Sequence, residues 1–211
     1  PIDGFVRKLV DLLEENDYGY IHLDDRSKGI RITEYGKVES LLERINVWLS
    51  FMSAHIFKAD VIKSVDGPRY MGLFLVQVPY FLEGILSDGK KIVYEYPWIQ
   101  GGSDAANNGG YNFMQVFAEN LLGLINERVD ARQISRECYE VFKKSLYKSF
   151  LAPFIVDLYL LRKPRRNNFS HEGAARIFFR HYGGKAYAYY YILRNVAGRV
   201  FYSIEDLLTK L

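Results

Sequence analysis

The chain has one cysteine, six prolines and no long uninterrupted apolar run. Because Cys138 has no second cysteine to pair with, no internal disulfide bond can form, which is typical of a reducing compartment. We therefore expect a cytoplasmic protein. The longest apolar runs, at 71–78 and 150–156, are interrupted by glycine or proline and are much shorter than the ~20 residues of a membrane-spanning helix. Residues 1–3 do not begin a basic stretch followed by an apolar one, so we expect neither a secretory signal nor a membrane partner.

The rest of the composition is that of a globular protein. Hydrophobic residues make up 49% of the 211 residues and charged residues 25%. These proportions are typical of soluble folded proteins, and the length suffices for one large domain or two small ones.

Positive charge is concentrated in one segment of the chain. Between Arg162 and Arg199 there are nine basic residues and one acid, so this segment carries +8 while the whole chain carries +3. The basic residues are Arg162, Lys163, Arg165, Arg166, Arg176, Arg180, Lys185, Arg194 and Arg199, and eight phenylalanines and tyrosines are interleaved with them. Guanidinium groups neutralise phosphates and aromatic faces stack on unpaired bases, so the mixture favours single-stranded RNA over a metabolite. The alternative is a solvated basic face over a tyrosine-rich core.

The first hundred residues have mixed helix and strand signals. An amphipathic spacing predicts a helix from Asp3 to Asn16, and a second helix is predicted over 37–57. Residues 20–23 and 30–33 have the pattern of two strands of one hairpin. Residues 69–79 are rich in β-forming side chains, and Asp88-Gly89 indicates a hairpin between 85–86 and 92–96. We therefore predict a mixed α/β domain over 1–100.

A glycine-rich segment separates the two halves. Residues 101–110 contain four glycines and no bulky apolar side chain, so we predict a linker there. A phosphate-binding loop would need a lysine followed by serine or threonine, whereas this chain continues with Tyr111.

Beyond the linker the apolar spacing becomes helical. One stripe runs over 113–125 and a second over 134–150, with a kink or restart expected at Pro153. Gly183-Gly184 predicts a helix end, and Ser203 to Asp206 has the form of a capping box for a last short helix. These signals predict five or six helices over 111–211. The fold class is therefore α+β, with a mixed helix and β-hairpin half followed by an all-helical bundle.

One short motif in the helical half has the residue types of an active site. Arg166 and Asn167 are followed by three other residues and then by His171. RNA can be cut without a metal when its 2′-hydroxyl attacks the neighbouring phosphorus, provided that protons are moved and the negative charge is stabilised. An imidazole exchanges protons near neutral pH, and a guanidinium holds two phosphate oxygens at once. We therefore treat Arg166, Asn167 and His171 as candidate catalytic residues.

The sequence RNNFSHEG and its helical context resemble the HEPN superfamily over Tyr111 to Leu211. The resemblance implies a metal-independent endoribonuclease without a cofactor, found in toxin and antiviral defence systems. It also implies a homodimer in which two copies of the motif meet, with Arg166, Asn167 and His171 as the active site. On a helix Asn167 and His171 would share a face, whereas Arg166 would lie about 140° away, which also favours a site shared by two protomers.

Each of these residues also has a structural interpretation. His171 can be a helix N-terminal residue bonded to a carboxylate, with Arg166 and Asn167 as solvated turn residues. The segment from Arg176 to His181 repeats the Arg-to-His spacing and is interpreted as a basic wall of the groove that would hold RNA at the motif, or as plain surface. Cys138 is expected to be a buried thiol, and His22 with Asp24 to lie at a hairpin edge and bind no metal.

Three functions remain open from the sequence. The first is a metal-independent endoribonuclease that binds single-stranded RNA through six residues: Arg162, Lys163, Arg165, Arg176, Arg180 and Lys185. The second is a non-catalytic RNA- or DNA-binding subunit of a nucleoprotein complex. The third is an interaction module for an acidic partner such as an antitoxin.

Overall fold

The computed structural model describes residues 4–24, 30–95, 110–161 and 169–208. Contacts between Cα atoms divide the chain into two compact units. The first unit consists of Pro1–Ala105 and Gly123–Phe142, and the second of Ala106–Leu122 and Lys143–Leu211. Apart from Gly110, the predicted linker lies outside the described residues. Residues 123–142 belong to the first unit. Helical periodicity cannot predict this, because it shows that one face of a helix is buried but not which residues cover that face.

The predicted α+β class is confirmed. Four strands form one mixed sheet in the first unit: β1 (Tyr18–Asp24), β2 (Arg31–Glu34), β3 (His55–Phe57) and β4 (Lys90–Glu95). The α-helices of this half are α1 (Phe5–Glu15), α2 (Val38–Ile45), α3 (Val61–Ser64) and α4 (Val78–Leu86). Short 3₁₀ helices span Asn46–Ser50, Met52–Ala54 and Gly67–Leu73.

The strands do not pair as the sequence pattern suggested. Their spatial order is β2-β4-β1-β3, so β4 lies between β1 and β2, and the predicted hairpin of β1 with β2 is wrong. β4 runs parallel to β1 and antiparallel to β2. The reason lies in burial: β1 is covered on both faces and must be central, whereas three of the four β2 residues are exposed, as is usual at a sheet edge.

Other local predictions in this half fail at backbone turns. α2 ends at Ile45 because Asn46 has a positive φ of 45°, which stops the helix predicted to reach residue 57. The β-rich segment 69–79 is instead a 3₁₀ helix followed by the start of α4, where a proline occupies the first turn. Gly89 has a positive φ of 96°, as expected for a tight turn. The turn connects helix α4 to strand β4, so the hairpin predicted between 85–86 and 92–96 is wrong.

The sheet is packed on both faces. On one face Leu9 and Leu12 of α1 pack against a buried cluster of Ile21, Leu23, Ile92 and Tyr94. On the other face α4 lies close to the strands, since a Cβ at Gly84 would come within 2.8 Å of Phe57 and 3.3 Å of Tyr20. These contacts place the core of the first unit between its helices and the sheet.

The described part of the chain beyond residue 110 is helical, as predicted. The described residues beyond 110 contain five α-helical segments: α5 (Leu121–Asp130), α6 (Arg136–Leu146), α7 (Ala152–Ile155), α8 (Ala174–Tyr182) and α9 (Ala186–Leu208). Three π-helical segments are continuous with them, at Gln115–Asn120, Tyr147–Leu151 and Val156–Leu160. No helix among the described residues is both long enough and apolar enough to cross a bilayer.

The predicted helix boundaries in this half have mixed outcomes. Pro153 lies in the first turn of α7, and the π-helical turns on both sides accommodate a residue that has no backbone N–H, so the expected restart takes the form of a change in hydrogen-bond register. The capping-box pattern at Ser203 does not begin a helix, since α9 runs through it from Ala186 to Leu208. Tyr182 ends α8 directly before Gly183-Gly184, as predicted.

A polar network is buried beside the sheet of the first unit. The Tyr20 hydroxyl donates to Nδ1 of His55, and Nε2 of His55 donates to the Trp48 carbonyl at 3.0 Å. These directions belong to the neutral ring that burial favours, in which Nε2 carries the proton and Nδ1 accepts from the tyrosine hydroxyl. Burial lowers the pKa of His55 to about 4, and the hydrogen bond to Trp48 only partly offsets it.

His55 should make the fold sensitive to mild acid. The unfolded chain takes up a proton at the ordinary pKa of 6.5, whereas the folded chain resists it down to about 4, so stability is full above 6.5 and falls as the pH drops between these values. The loss should approach about 3 kcal/mol near the lower value. Urea unfolding measured across this range should show a flatter dependence in His55→Gln, and equal slopes in both proteins would contradict the assignment.

Candidate functional site

Only part of the predicted catalytic motif lies among the described residues. Arg166 and Asn167 are outside them, and so are three of the predicted RNA-binding residues, Arg162, Lys163 and Arg165. The end of the motif, from Phe169 to His171, is described, and so is helix α8 that follows it.

The segment before His171 is anchored by burial and by backbone hydrogen bonds. Phe169 is 8% exposed, and its ring packs at 5.1 Å from Tyr111 and 5.7 Å from Phe113, measured between ring centroids. The Ser170 N–H donates to the Tyr111 carbonyl at 3.0 Å, and Ser170 forms an isolated β-bridge with Asn112. The main chain is therefore held in place immediately before His171.

His171 lies in a turn, and this corrects one geometric expectation. The helix begins only at Ala174, after Gly173 with a φ of +65°. The N–H of Ala174 donates to the His171 carbonyl at 3.2 Å, which closes the turn. The expected sharing of one helix face by Asn167 and His171 therefore does not hold, because His171 precedes the helix.

The His171 side chain is exposed and packs on the ring of Tyr159. Its imidazole meets Tyr159 edge to face, with the ring centroids 5.0 Å apart and an interplanar angle of 79°. Among the described residues no carboxylate pairs with His171, in contrast to the structural interpretation of this residue. The Tyr159 hydroxyl is buried without a hydrogen-bond partner in the same described part of the chain, and burial raises the pKa of Tyr159.

An apolar cleft adjoins this pair of rings. Its volume is about 170 Å³, equivalent to roughly five or six waters and comparable with a small planar ring. Seven residues line it: Met114, Ile155, Tyr159, Ala174, Ala175, Phe178 and Phe179. Tyr159 thus contacts His171 and also forms a wall of the cleft, and Phe179 is 63% exposed. Aromatic walls of this kind stack on unpaired bases.

The basic residues of α8 differ in their availability. Arg176 is exposed, and no acid among the described residues pairs with it. Arg180 instead bonds Oε1 of Glu119 at 2.6 Å, while Nε2 of His181 lies 2.9 Å from Oε2 of the same carboxylate. Lys185, just after the helix, is half-buried, and its backbone N–H donates to the Tyr182 carbonyl. The predicted basic wall is therefore partly neutralised.

The carboxylate of Glu119 is held in its charged form. Burial alone would raise its pKa, but the hydrogen bonds and charges of His181 and Arg180 outweigh that effect, and the pKa of Glu119 is lowered from its ordinary value. The guanidinium of Arg180 is thus paired with an internal anion.

The π-helical segments carry the polar residues that sequence reasoning missed. Glu119 lies in Gln115–Asn120, and both Tyr159 and Asp157 lie in Val156–Leu160. Asp157 is 4% exposed and forms a two-pronged pair with Arg199, at 2.9 and 3.2 Å. These contacts span 61 positions for Arg180 with Glu119 and 42 for Arg199 with Asp157, so no local pattern could reveal them.

The remaining candidates from the sequence lie in the first unit. Cys138 is buried, as predicted, and burial followed by the charges of Glu39 and Glu43 raises the pKa of its thiol to about 11. His22 is 2% exposed on the central strand β1, so its predicted place at a hairpin edge is wrong. Among the described residues, no group of three or more His, Cys, Asp and Glu side chains is arranged to hold a metal ion.

Replacing Glu119 should show how much the ion pairs contribute to stability. Glu119→Gln keeps the shape but removes the charge, so the free energy of unfolding near neutral pH should fall by about 1 kcal/mol. Because the pKa of Glu119 is lowered in the folded state, its contribution is present above the ordinary value of 4.5 and is lost as the pH falls through the folded value. Urea unfolding should therefore show a difference between the variant and the wild type that shrinks below pH 4.5. A difference that persists in acid would contradict the ion-pair assignment.

Comparison with protein-family models, with curated proteins and with solved structures found no match to this chain. What this surface does is accordingly inferred from its own side chains. It combines an exposed imidazole, an aromatic cleft that shares Tyr159 with it, and the exposed guanidinium of Arg176.

Proposed function

We propose that the chain is a metal-independent endoribonuclease of the HEPN type that cuts single-stranded RNA at His171. The observation that carries this proposal is the position of the imidazole: it is exposed, it has no acid partner among the described residues, and it touches the tyrosine that lines an apolar cleft. A histidine that served only to stabilise the fold would be expected to be buried or bonded to a carboxylate, as His55 and His181 are.

The reaction requires no bound metal or cofactor. The 2′-hydroxyl loses its proton and attacks the adjacent phosphorus, the bond to the 5′-oxygen breaks, and the products are a 2′,3′-cyclic phosphate and a free 5′-hydroxyl. His171 takes the proton from the nucleophile or gives one to the leaving oxygen. Arg166 opposes the charge that develops on the phosphorane, and Asn167 orients the substrate or the imidazole.

Single-stranded RNA is the substrate that best fits this surface. A base in a duplex is not free to enter a cleft walled by Tyr159, Phe178 and Phe179, whereas an unpaired base can stack there. Arg176 supplies a cation for the backbone from the same helix, α8, that forms part of the cleft wall.

The assembly and setting are part of the proposal. Two copies of the chain would bring two motifs together, and the first unit would serve as a regulatory or partner-binding part, for an antitoxin or a nucleoprotein complex in a defence or toxin system. The single cysteine is buried as a free thiol, which suits the reducing conditions of the cytoplasm.

Substitution of His171 tests the proposal. The purified protein should cut a short single-stranded RNA in the presence of EDTA and leave cyclic phosphate ends. His171→Gln should slow cleavage by about 10²- to 10⁴-fold, the usual contribution of a general acid or base, without weakening RNA binding measured by fluorescence anisotropy. Replacement of the 2′-hydroxyl by a methoxy group should stop the reaction, because the nucleophile is then absent.

The matched control is the other histidine of this unit. His181→Gln removes an imidazole that is already paired with Glu119, and it should keep most of the cleavage rate. Equal rates in the wild type and in His171→Gln would remove His171 from the mechanism. Binding with steep salt dependence but without cleavage by the wild type would instead assign the second function, a non-catalytic nucleic-acid-binding subunit. The cleft and Arg176 support that second function without any role for an imidazole.

A further inference from the structure

A second cleft in the second unit lies along α9 and shares no residue with the cleft beside His171. Its volume is about 260 Å³. Lys148 and Ser149 contribute from the π-helical segment Tyr147–Leu151, and five residues contribute from α9: Tyr191, Arg194, Asn195, Gly198 and Arg199. We call it the α9 cleft.

Two of the three cations that line the α9 cleft have no acid partner among the described residues. Arg199 is paired with Asp157 through two hydrogen bonds. Lys148 and Arg194 are both exposed, and no carboxylate among the described residues lies within ion-pair distance of either. No acidic side chain is among the described residues that line the cleft. Two cations therefore remain available on the walls of one concave surface.

The polar groups beside these cations suit a phosphate group. Arg194 can hold two oxygens of one phosphate, and Lys148 adds a point charge from the opposite wall. The Tyr191 side chain lines the same cleft and adds a hydroxyl. A backbone phosphodiester offers two non-bridging oxygens to these donors, and a terminal phosphate offers three.

Gly198 keeps the α9 cleft open. It lies in the interior of α9, where glycine is less favourable than alanine for a helix, and a Cβ built there would meet no atom within 4 Å. No packing contact therefore requires a glycine at this position. A larger side chain at this position would occupy the cleft.

We infer that the α9 cleft is a phosphate-binding site in which Lys148 and Arg194 are the binding cations. The identity of the ligand rests on the proposed function: it is a backbone phosphate of the bound RNA. The same chemistry would also fit the phosphate of a free nucleotide, and binding experiments separate these two sources.

The test uses the full chain carrying His171→Gln, so that the RNA stays intact. Gly198→Leu fills the α9 cleft without changing charge, and Gly198→Ala is its matched control, since neither side chain meets a clash at the Cβ. Both variants should unfold at or above the temperature of the parent protein. Gly198→Leu should bind single-stranded RNA about tenfold more weakly than Gly198→Ala.

A charge variant provides an independent measurement. Lys148→Gln combined with Arg194→Gln should weaken RNA binding about 10- to 100-fold at low salt. It should also reduce the slope of log affinity against log salt by about 0.7 for each phosphate that the protein no longer neutralises. In parallel, inorganic phosphate and adenosine monophosphate are titrated into each protein by calorimetry.

The outcomes separate this site from the proposed ribonuclease. Weaker RNA binding in Gly198→Leu and in the double variant supports a backbone phosphate. If both variants lose binding of inorganic phosphate or adenosine monophosphate while RNA binding is unchanged or absent, the α9 cleft is a phosphate site and its ligand is a free phosphate or nucleotide. An absence of RNA binding in all the proteins counts against the proposed function and leaves the phosphate site standing. If neither variant alters the binding of any of these ligands, the inference is overturned.

Discussion

The candidate site depends on the burial of Phe169. Its ring packs against Tyr111 and Phe113 inside the second unit, and the next residue, Ser170, is bonded to the Tyr111 backbone. Burying a phenylalanine side chain contributes about 2 to 3 kcal/mol, so this contact can hold the chain in one position. A histidine two residues further along is thereby placed at the surface in a closed turn. The proposed chemistry follows from this placement, because an imidazole can serve as an acid or base only where a substrate can reach it.

The cations of the second unit are of two kinds: those paired with an acid in a π-helical segment, and those with no acid partner among the described residues. Glu119 and Asp157 lie in such segments, where they pair with Arg180 and Arg199 and neutralise part of the basic stretch. Widened π turns are frequent at functional sites because they redirect side chains that a regular helix would point elsewhere. Arg176 and the two cations of the α9 cleft have no such acid among the described residues. The charge available to an external phosphate is therefore smaller, and more localised, than the sequence total of the segment suggests.

The sequence predicted local structure better than long-range pairing. Most of the apolar stripes of the helical half are buried as expected, with Phe113, Leu121 and Leu146 almost fully covered, although Val141 is 39% exposed. Helical periodicity depends only on nearby residues, which is why it predicts burial well. The sheet was predicted with the wrong neighbours, since β4 pairs with β1 across more than sixty positions and no hairpin signal encodes such a contact. The motif that ends in His171 was visible in the sequence. The contact of His171 with Tyr159 and the ion pair of Arg180 with Glu119 were not. Such partners are brought together by folding, and nothing in the surrounding residues marks them.

The chain has only four histidines, which allows the central claim to be observed directly. The imidazole signals of the protein can be recorded by NMR and the one from residue 171 identified by its loss in His171→Gln. A single-stranded RNA with 2′-methoxy groups, which cannot be cut, is then added. If His171 lies at the RNA-binding surface, its ring signals shift with the RNA concentration while those of the buried His22 and His55 stay in place. Ring signals of His171 that remain unchanged when the protein is saturated with this RNA would contradict the placement of the active site.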